Sequence, residues 1–176
     1  TVIKTMQSIA KSEKFSVDEG VLGDLAYVSD GNLRKALFTL EMLNARNLAD
    51  DRSAVHRLVQ ATTLQAGRHL LELALRGRVV EWRWENVRGR RSKVLSGAIA
   101  EIDRLMNDHG LDADDIISQL HDVLVGRRLS LPDELRSELL SALAICDTQI
   151  RSTMHARIPF ENFLHKAATS GRKHGL

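Results

Sequence analysis

Cysteine is nearly missing from this sequence, with Cys146 standing alone among 176 residues. One thiol excludes an internal disulfide framework and any paired-cysteine redox or metal site. Its place in the apolar run "LLSALAIC" marks it as a small buried hydrophobe rather than a nucleophile. Proline is almost as scarce: Pro132 and Pro159 are the only two, so little interrupts a helical backbone. No apolar run approaches the roughly 18–20 residues of a membrane span, and the N-terminus lacks the charged-then-apolar order of a signal peptide. A soluble, intracellular protein is expected. A large excess of one charge is absent too. A formal net charge of +2 gives no global nucleic-acid signature, so any basic surface has to be local.

Motifs for catalysis are also missing. The sequence has no G-x-x-x-x-G-K-[ST] phosphate loop, no G-x-G-x-x-G and no nucleophile elbow. Its seven histidines, at 56, 69, 109, 121, 155, 165 and 174, form no His-x-x-x-His or Glu-x-x-His pair on one helical face. No metal site is expected. The pairs Asp50–Asp51 and Asp114–Asp115 fall at predicted helix starts, where capping and the helix dipole account for carboxylates.

What remains reads almost entirely as helix, with no convincing strand. The first helix runs from about Val2 to Ser12, with Val2, Met6, Ile9 and Ala10 on one face. Ser16 and Glu19 have the spacing of a capping box before Leu22, Leu25 and Ala26. Gly31 breaks that helix, and the next, from about Asn32 to Arg46, stacks Leu33, Ala36, Leu37, Leu40 and Leu43. A short fourth helix, "ADDRSAVHRLV", completes a bundle within about sixty residues. Thr62 or Thr63 then has the chemistry to cap a helix that Gly77 stops. Helix resumes in "VLSGAIAEIDRLMND", closed by Gly110, and Asp112 with Asp115 opens "ADDIISQLHDVLV". The longest helix is expected from Pro132 to about Met154, and the last after Pro159, with "TSGRKHGL" as a frayed tail. The chain opens on Thr1 inside a helical pattern, so it is expected to be a piece of a longer one.

Two features stand apart. Arg34 sits in the first turn of its helix, where a cation is unfavourable by roughly 0.3–1 kcal/mol. It is either a solvated surface arginine, an ion-pair partner of Asp30 or Glu41, or a group serving a ligand. The second feature is "RGRVVEWRWENVRGRRSK", residues 76–93, with seven Arg or Lys against two Glu. Trp82 and Trp84, two apart, cannot share a helix face. Interleaved Arg and Trp can stack bases and neutralise phosphates, which makes Arg83, Arg88, Arg90, Arg91 and Lys93 candidate nucleic-acid contacts. The alternative is an insertion loop with locally packed indoles and solvated arginines.

The order of motifs resembles a known family. "YVSDGNLRKALFTLEML" is similar to the stretch of AAA+ clamp-loader subunits in which a Ser, a Gly and an Asp or Asn precede a sensor 2 arginine. As in the replication factor C small subunits, it is followed by "SAVHRLVQA" and a helix ending in "LELALRG". "NDHGLDADDIISQLHDVL" and "LPDELRSELLSALAICDTQIRSTMHARIPFENFL" resemble later parts of that family, the second its closing pair of collar helices. The chain departs from the family in a longer connection between Gly77 and Gly110 and in Pro159, where a polar or aliphatic residue is expected.

The resemblance implies an all-α fold, with an AAA+ lid bundle over residues 1–60 and an oligomerising collar over 61–176. It implies that the ATPase core, with Walker A, Walker B and arginine finger, lies outside this segment. The chain alone would then not be an enzyme, while its parent would be an AAA+ ATPase using ATP with magnesium, none of it retained here. Arg34 matches the sensor 2 arginine that reaches the ATP phosphates, and Asn32 is a second candidate there. Implied partners are other clamp-loader subunits through the collar, the sliding clamp and primed DNA, with no membrane. Location would be cytoplasmic, at the nucleoid, in a prokaryotic or archaeal cell. Two other readings stay open: a helical nucleic-acid-binding module centred on residues 76–93, and the lid of another AAA+ protein, which would lack self-association.

Overall fold

In the computed structural model, residues 2–87, 89–126 and 129–176 are described. The element order is α1 (Val2–Ser12), α2 (Glu19–Val28), α3 (Leu33–Ala45), α4 (Arg52–Leu75), β1 (Glu81–Val87), β2 (Arg90–Ser96), α5 (Ala98–Asn107), α6 (Ala113–Val125), α7 (Asp133–Ser152) and α8 (Arg157–Lys173). The fold is predominantly helical, as the periodicity predicts. No helix among the described residues is long and apolar enough to cross a membrane.

The chain divides into two compact units. The first comprises Thr1–Thr63 with Asn107–Leu111. Within it α1, α2 and α3 pack on one another, and Met6, Leu22, Leu25, Leu40 and Leu43 are fully buried in one cluster with Val55 and Leu58 from the start of α4. Each such side chain contributes about 1.5–3 kcal/mol by leaving water. The cap of α2 is Asp18, not Ser16: its Oδ1 accepts from Gly20 N at 2.8 Å and Val21 N at 3.3 Å. A carboxylate one residue before the helix reaches those amides directly, which leaves the Ser16–Glu19 spacing unused. Asp51 caps α4 in the same way, accepting from Ser53 N at 2.9 Å.

The second unit comprises Leu64–Met106 with Asp112–Leu176. In it α7 packs against α6 and α8, and Leu135, Leu139, Leu143 and Cys146 are buried along one stripe of α7. Burial pushes the Cys146 thiol up to about 12, which keeps it a neutral hydrophobe at physiological pH. The Asp112 and Asp115 side chains each accept from the other's backbone N–H, a reciprocal box at the start of α6. Arg136, on α7, donates to the carbonyls of Leu124, Leu129 and Leu131, and so satisfies an orphan carbonyl of the last turn of α6.

Four sequence expectations are corrected here. The expected break near Thr62 does not occur, and α4 is a single helix of 24 residues, longer than α7. No glycine or proline falls between Arg52 and Ala66, and a threonine lowers helix propensity by well under about 1 kcal/mol, too little to enforce a stop. Gly67 inside α4 serves close packing: a Cβ there would lie 3.3 Å from Gln119 Cβ and O. Second, "VLS" belongs to a strand rather than to the following helix, because Gly97 turns the chain at φ +87°. A Cβ at Gly97 would meet Arg78 O at 2.7 Å, so the site requires glycine twice over. Third, a hairpin replaces the expected absence of strands. Fourth, the C-terminus is no frayed tail: α8 continues to Lys173. Gly171 lets it approach α4, where a Cβ would sit 2.5 Å from Leu75 O. Lys173 Nζ pairs with Glu138 at 2.7 Å.

Candidate functional site

The turn before α3 shows how "SDGNLRK" places Arg34. Asp30 and Gly31 both adopt positive φ, 47° and 75°, and Asn32 N donates to Ser29 O at 2.8 Å. Helix α2 thereby ends at Val28 and α3 begins at Leu33. Asn32 Oδ1 accepts from Lys35 N at 3.1 Å, capping α3, while Nδ2 donates to Gly110 O at 2.8 Å. Gly110 itself, at φ +69°, lies so close that a Cβ would be 2.8 Å from Lys35 N. His109 stacks on Phe38 with ring centroids 4.2 Å apart. Residues 107–111 thus clasp the first turns of α3.

Arg34 is exposed on this turn. Among the described residues it makes no ion pair with Asp30 or Glu41, which leaves the solvated and the ligand-serving readings. It lines an open depression of about 530 Å³ with Leu33, Leu37, Phe38, Glu41 and Asp108. Asn32, the companion candidate, has both ends of its amide engaged in holding the turn. Its effect on any ligand therefore runs through the position of Arg34.

The second candidate segment is an antiparallel hairpin. Val87 pairs with Arg90, and Gly89 beside them adopts φ +78°. Gly97 and Arg78 close its base, Ala98 N donating to Arg78 O at 2.9 Å. Strand alternation then sorts the side chains. One face carries Trp82, Trp84 and Asn86 opposite Leu95, Lys93 and Arg91; the other carries Glu81, Arg83 and Glu85 opposite Ser96, Val94 and Ser92. Trp82 and Trp84 are 56% and 62% exposed, so the indoles are not locally packed as an insertion-loop reading would have them. The Lys93 ammonium lies 5.4 Å from the Trp82 ring centre, and the Arg91 guanidinium 5.8 Å from that of Trp84. Arg78 forms a two-toothed pair with Glu81, whose carboxyl it holds below the usual range. Of the five candidate contacts, Arg91 and Lys93 share the tryptophan face, Arg83 and Arg90 lie on the opposite face, and Arg88 lies outside the described residues. Among the described residues no cluster of three or more His, Cys, Asp or Glu is arranged to hold a metal ion.

Comparison with known proteins bears on both segments. The family model for the RCF1/5-like AAA+ ATPase lid domain matches residues 4–44, and that for the replication factor C C-terminal domain matches residues 90–166. The chain belongs to the replication factor C family. It is 25% identical over 98% of its length to a replication factor C small subunit of Sulfurisphaera tokodaii, and 24% identical over 97% to that of Archaeoglobus fulgidus, covering 48% of each relative. A Haloarcula marismortui small subunit is 25% identical over 95% of the chain. The chain thus spans about half the length of the curated replication factor C relatives it matches. Asn32 and Arg34 fall inside the lid match, whereas β1 and both tryptophans lie outside both matched segments.

Sequence reasoning missed Arg136 and Gly110 as positioning residues. Gly110 acts on Asn32 across 78 positions, and Arg136 reaches back 12 positions to Leu124, beyond the reach of a helical turn.

Proposed function

We propose that this chain is the lid and collar of a replication factor C small subunit, contributing nucleotide sensing and subunit oligomerisation to ATP-dependent loading of a sliding clamp onto primed DNA. The observation that carries the proposal is the succession of a lid-domain match and a C-terminal-domain match on one chain, with relatives named replication factor C small subunit aligned over nearly all of it. The lid is residues 1–60 and the collar 61–176. Other clamp-loader subunits bind through the collar. The clamp, the DNA and ATP with magnesium are engaged by the complete assembly, whose ATPase core belongs to the longer parent.

Within this reading Arg34 is the sensor 2 arginine. Its exposure on the first turn of α3 and its lack of an ion pair among the described residues suit a guanidinium that meets a phosphate supplied by another domain. ATP there would supply the charge that Arg34 answers, and hydrolysis would release it. Asn32, Gly110 and the His109–Phe38 stack hold the turn that aims Arg34, so loss of that contact would be felt along α3 as a rigid body.

Two measurements test the proposal. Light scattering should show the chain self-associating or joining sister subunits as concentration rises; a strictly monomeric chain that joins no sister subunit would remove the collar assignment. In the complete protein, Arg34→Ala should impair ATP-driven clamp loading while leaving the melting transition within about 0.5 kcal/mol of wild type, since exposed substitutions rarely exceed that. Unimpaired loading would remove the sensor role.

A further inference from the structure

The hairpin lies within the collar residues, but neither nucleotide sensing nor oligomerisation accounts for its side chains. Its first strand lies outside both family matches, yet it carries both tryptophans of the chain and part of its one concentrated basic segment. Large exposed aromatics on a two-stranded ribbon need an explanation, because a strand face that packs on nothing normally turns polar. Here the alternation does something more selective. Both carboxylates of β1, Glu81 and Glu85, fall on the face away from the indoles. The tryptophan face keeps only apolar, amide and cationic groups, with Arg91 and Lys93 leaning diagonally across the strands onto the rings.

We propose that this face binds single-stranded polynucleotide, with bases stacking on Trp82 and Trp84 while Arg91 and Lys93 neutralise neighbouring phosphates. Three observations select that ligand. Charge complementarity favours a polyanion, since the tryptophan face presents Arg91 and Lys93 and both carboxylates of β1 fall on the other face. Exposed indoles require planar partners, and every base offers a π-face. Residues two apart on a strand are about 7 Å apart, close to twice the roughly 3.4 Å spacing of stacked bases, so the pair matches successive unstacked bases better than a closed helix. In a duplex those faces are already covered by neighbours, which leaves the indoles nothing to stack on. The two cation–π contacts pre-position rings and charges before the strand arrives, reducing the ordering cost of binding.

The chain offers a clean reporter, because its only two tryptophans are those of the hairpin. Titration with oligodeoxyuridylate and with oligouridylate, which differ only in the sugar, at low salt should quench their fluorescence and raise the anisotropy of a labelled strand, the stronger of the two identifying the sugar preferred. Trp82→Ala and Trp84→Ala should each weaken binding about 5- to 150-fold, while Trp84→Phe, which keeps a ring, should retain most of it. Arg91→Gln and Lys93→Gln should each reduce the slope of log affinity against log salt by about 0.7. Absence of quenching, affinity unchanged in both alanine variants and in both charge variants, or equal binding of a duplex or of polyglutamate would overturn the proposal. All of these are read on the chain without sister subunits, ATP or clamp, so the result is separate from that of the clamp-loader reading.

Discussion

Replacing Asn32 separates two tasks performed by one side chain at the start of α3. Its Oδ1 accepts from Lys35 N at 3.1 Å and its Nδ2 donates to Gly110 O at 2.8 Å. Removing an asparagine cap costs typically about 1 kcal/mol, and a neutral hydrogen bond contributes a net of about 0.5–1.5 kcal/mol. Asn32→Ala loses both and should destabilise the first unit by about 1.5–2.5 kcal/mol. Asn32→Ser keeps a capping oxygen and should lose only the second part, about 0.5–1.5 kcal/mol. Asn32→Asp is the most informative. A carboxylate caps as well as an amide and gains about 0.3–1 kcal/mol from the dipole, yet it puts an acceptor where Gly110 O needs a donor. The gain and the lost bond nearly offset, and repulsion between the two oxygens tips the balance, so the aspartate should fall near the serine variant and below wild type. Urea denaturation followed by far-UV circular dichroism ranks the series. An aspartate variant more stable than wild type by the full dipole gain of about 0.3–1 kcal/mol would refute the reasoning, since the bond to Gly110 would then contribute nothing. In the complete protein the same variants should weaken nucleotide-dependent activity in the order in which they loosen the turn.

Two further predictions concern packing and pH. Gly67→Ala gains about 0.8–1 kcal/mol of helix propensity and asks Gln119 to move only a few tenths of an ångström from 3.3 Å, so its stability should match or exceed wild type; Gly171→Ala gains the same but drives a Cβ to 2.5 Å from Leu75 O, and overpacking of about 1–3 kcal/mol should leave it the less stable of the two by about 1 kcal/mol or more. Equal melting of the two alanine variants would contradict the close approach of α8 to α4. The Glu138 carboxyl is held down to about 2 from 4.5, chiefly by the Lys173 hydrogen bond and then by that of Ser170. Because the folded value lies below the unfolded one, this contribution is complete above about pH 4.5 and is lost as pH falls toward 2. Thermal melts should therefore show Glu138→Gln less stable than wild type at neutral pH, the difference shrinking below pH 4.5 and vanishing near 2; a difference independent of pH would refute the assignment.

Much of the candidate site was legible because its signals are local. The bounds of α3 follow from Gly31 and Asn32, and the placement of Arg34 from counting onward from that cap. The Asp112–Asp115 box and the Gly77 stop, where Arg78 N donates to Leu73 O at 2.9 Å, are likewise written within a single turn. The hairpin was less legible, since Glu, Asn and Arg dilute the strand-favouring Trp and Val of β1 and only one glycine falls between the two runs. Its alternation was visible nonetheless: tryptophans two apart exclude a shared helix face and suit a shared strand face.

The sequence by itself determined that the chain is helical, where its glycines break it and where α3 begins, because caps, propensities and periodicity act over four residues or fewer. Tertiary structure alone decided that residues 81–87 and 90–96 pair as a ribbon with its acids and its tryptophans on opposite faces, and that the last helix is closed down by Gly171 and Lys173 rather than frayed. It also decided that Asn32 is committed to Gly110. These outcomes depend on groups that meet only when distant segments pack, and a close approach of two backbones, unlike a cap, leaves no mark in the residues beside it.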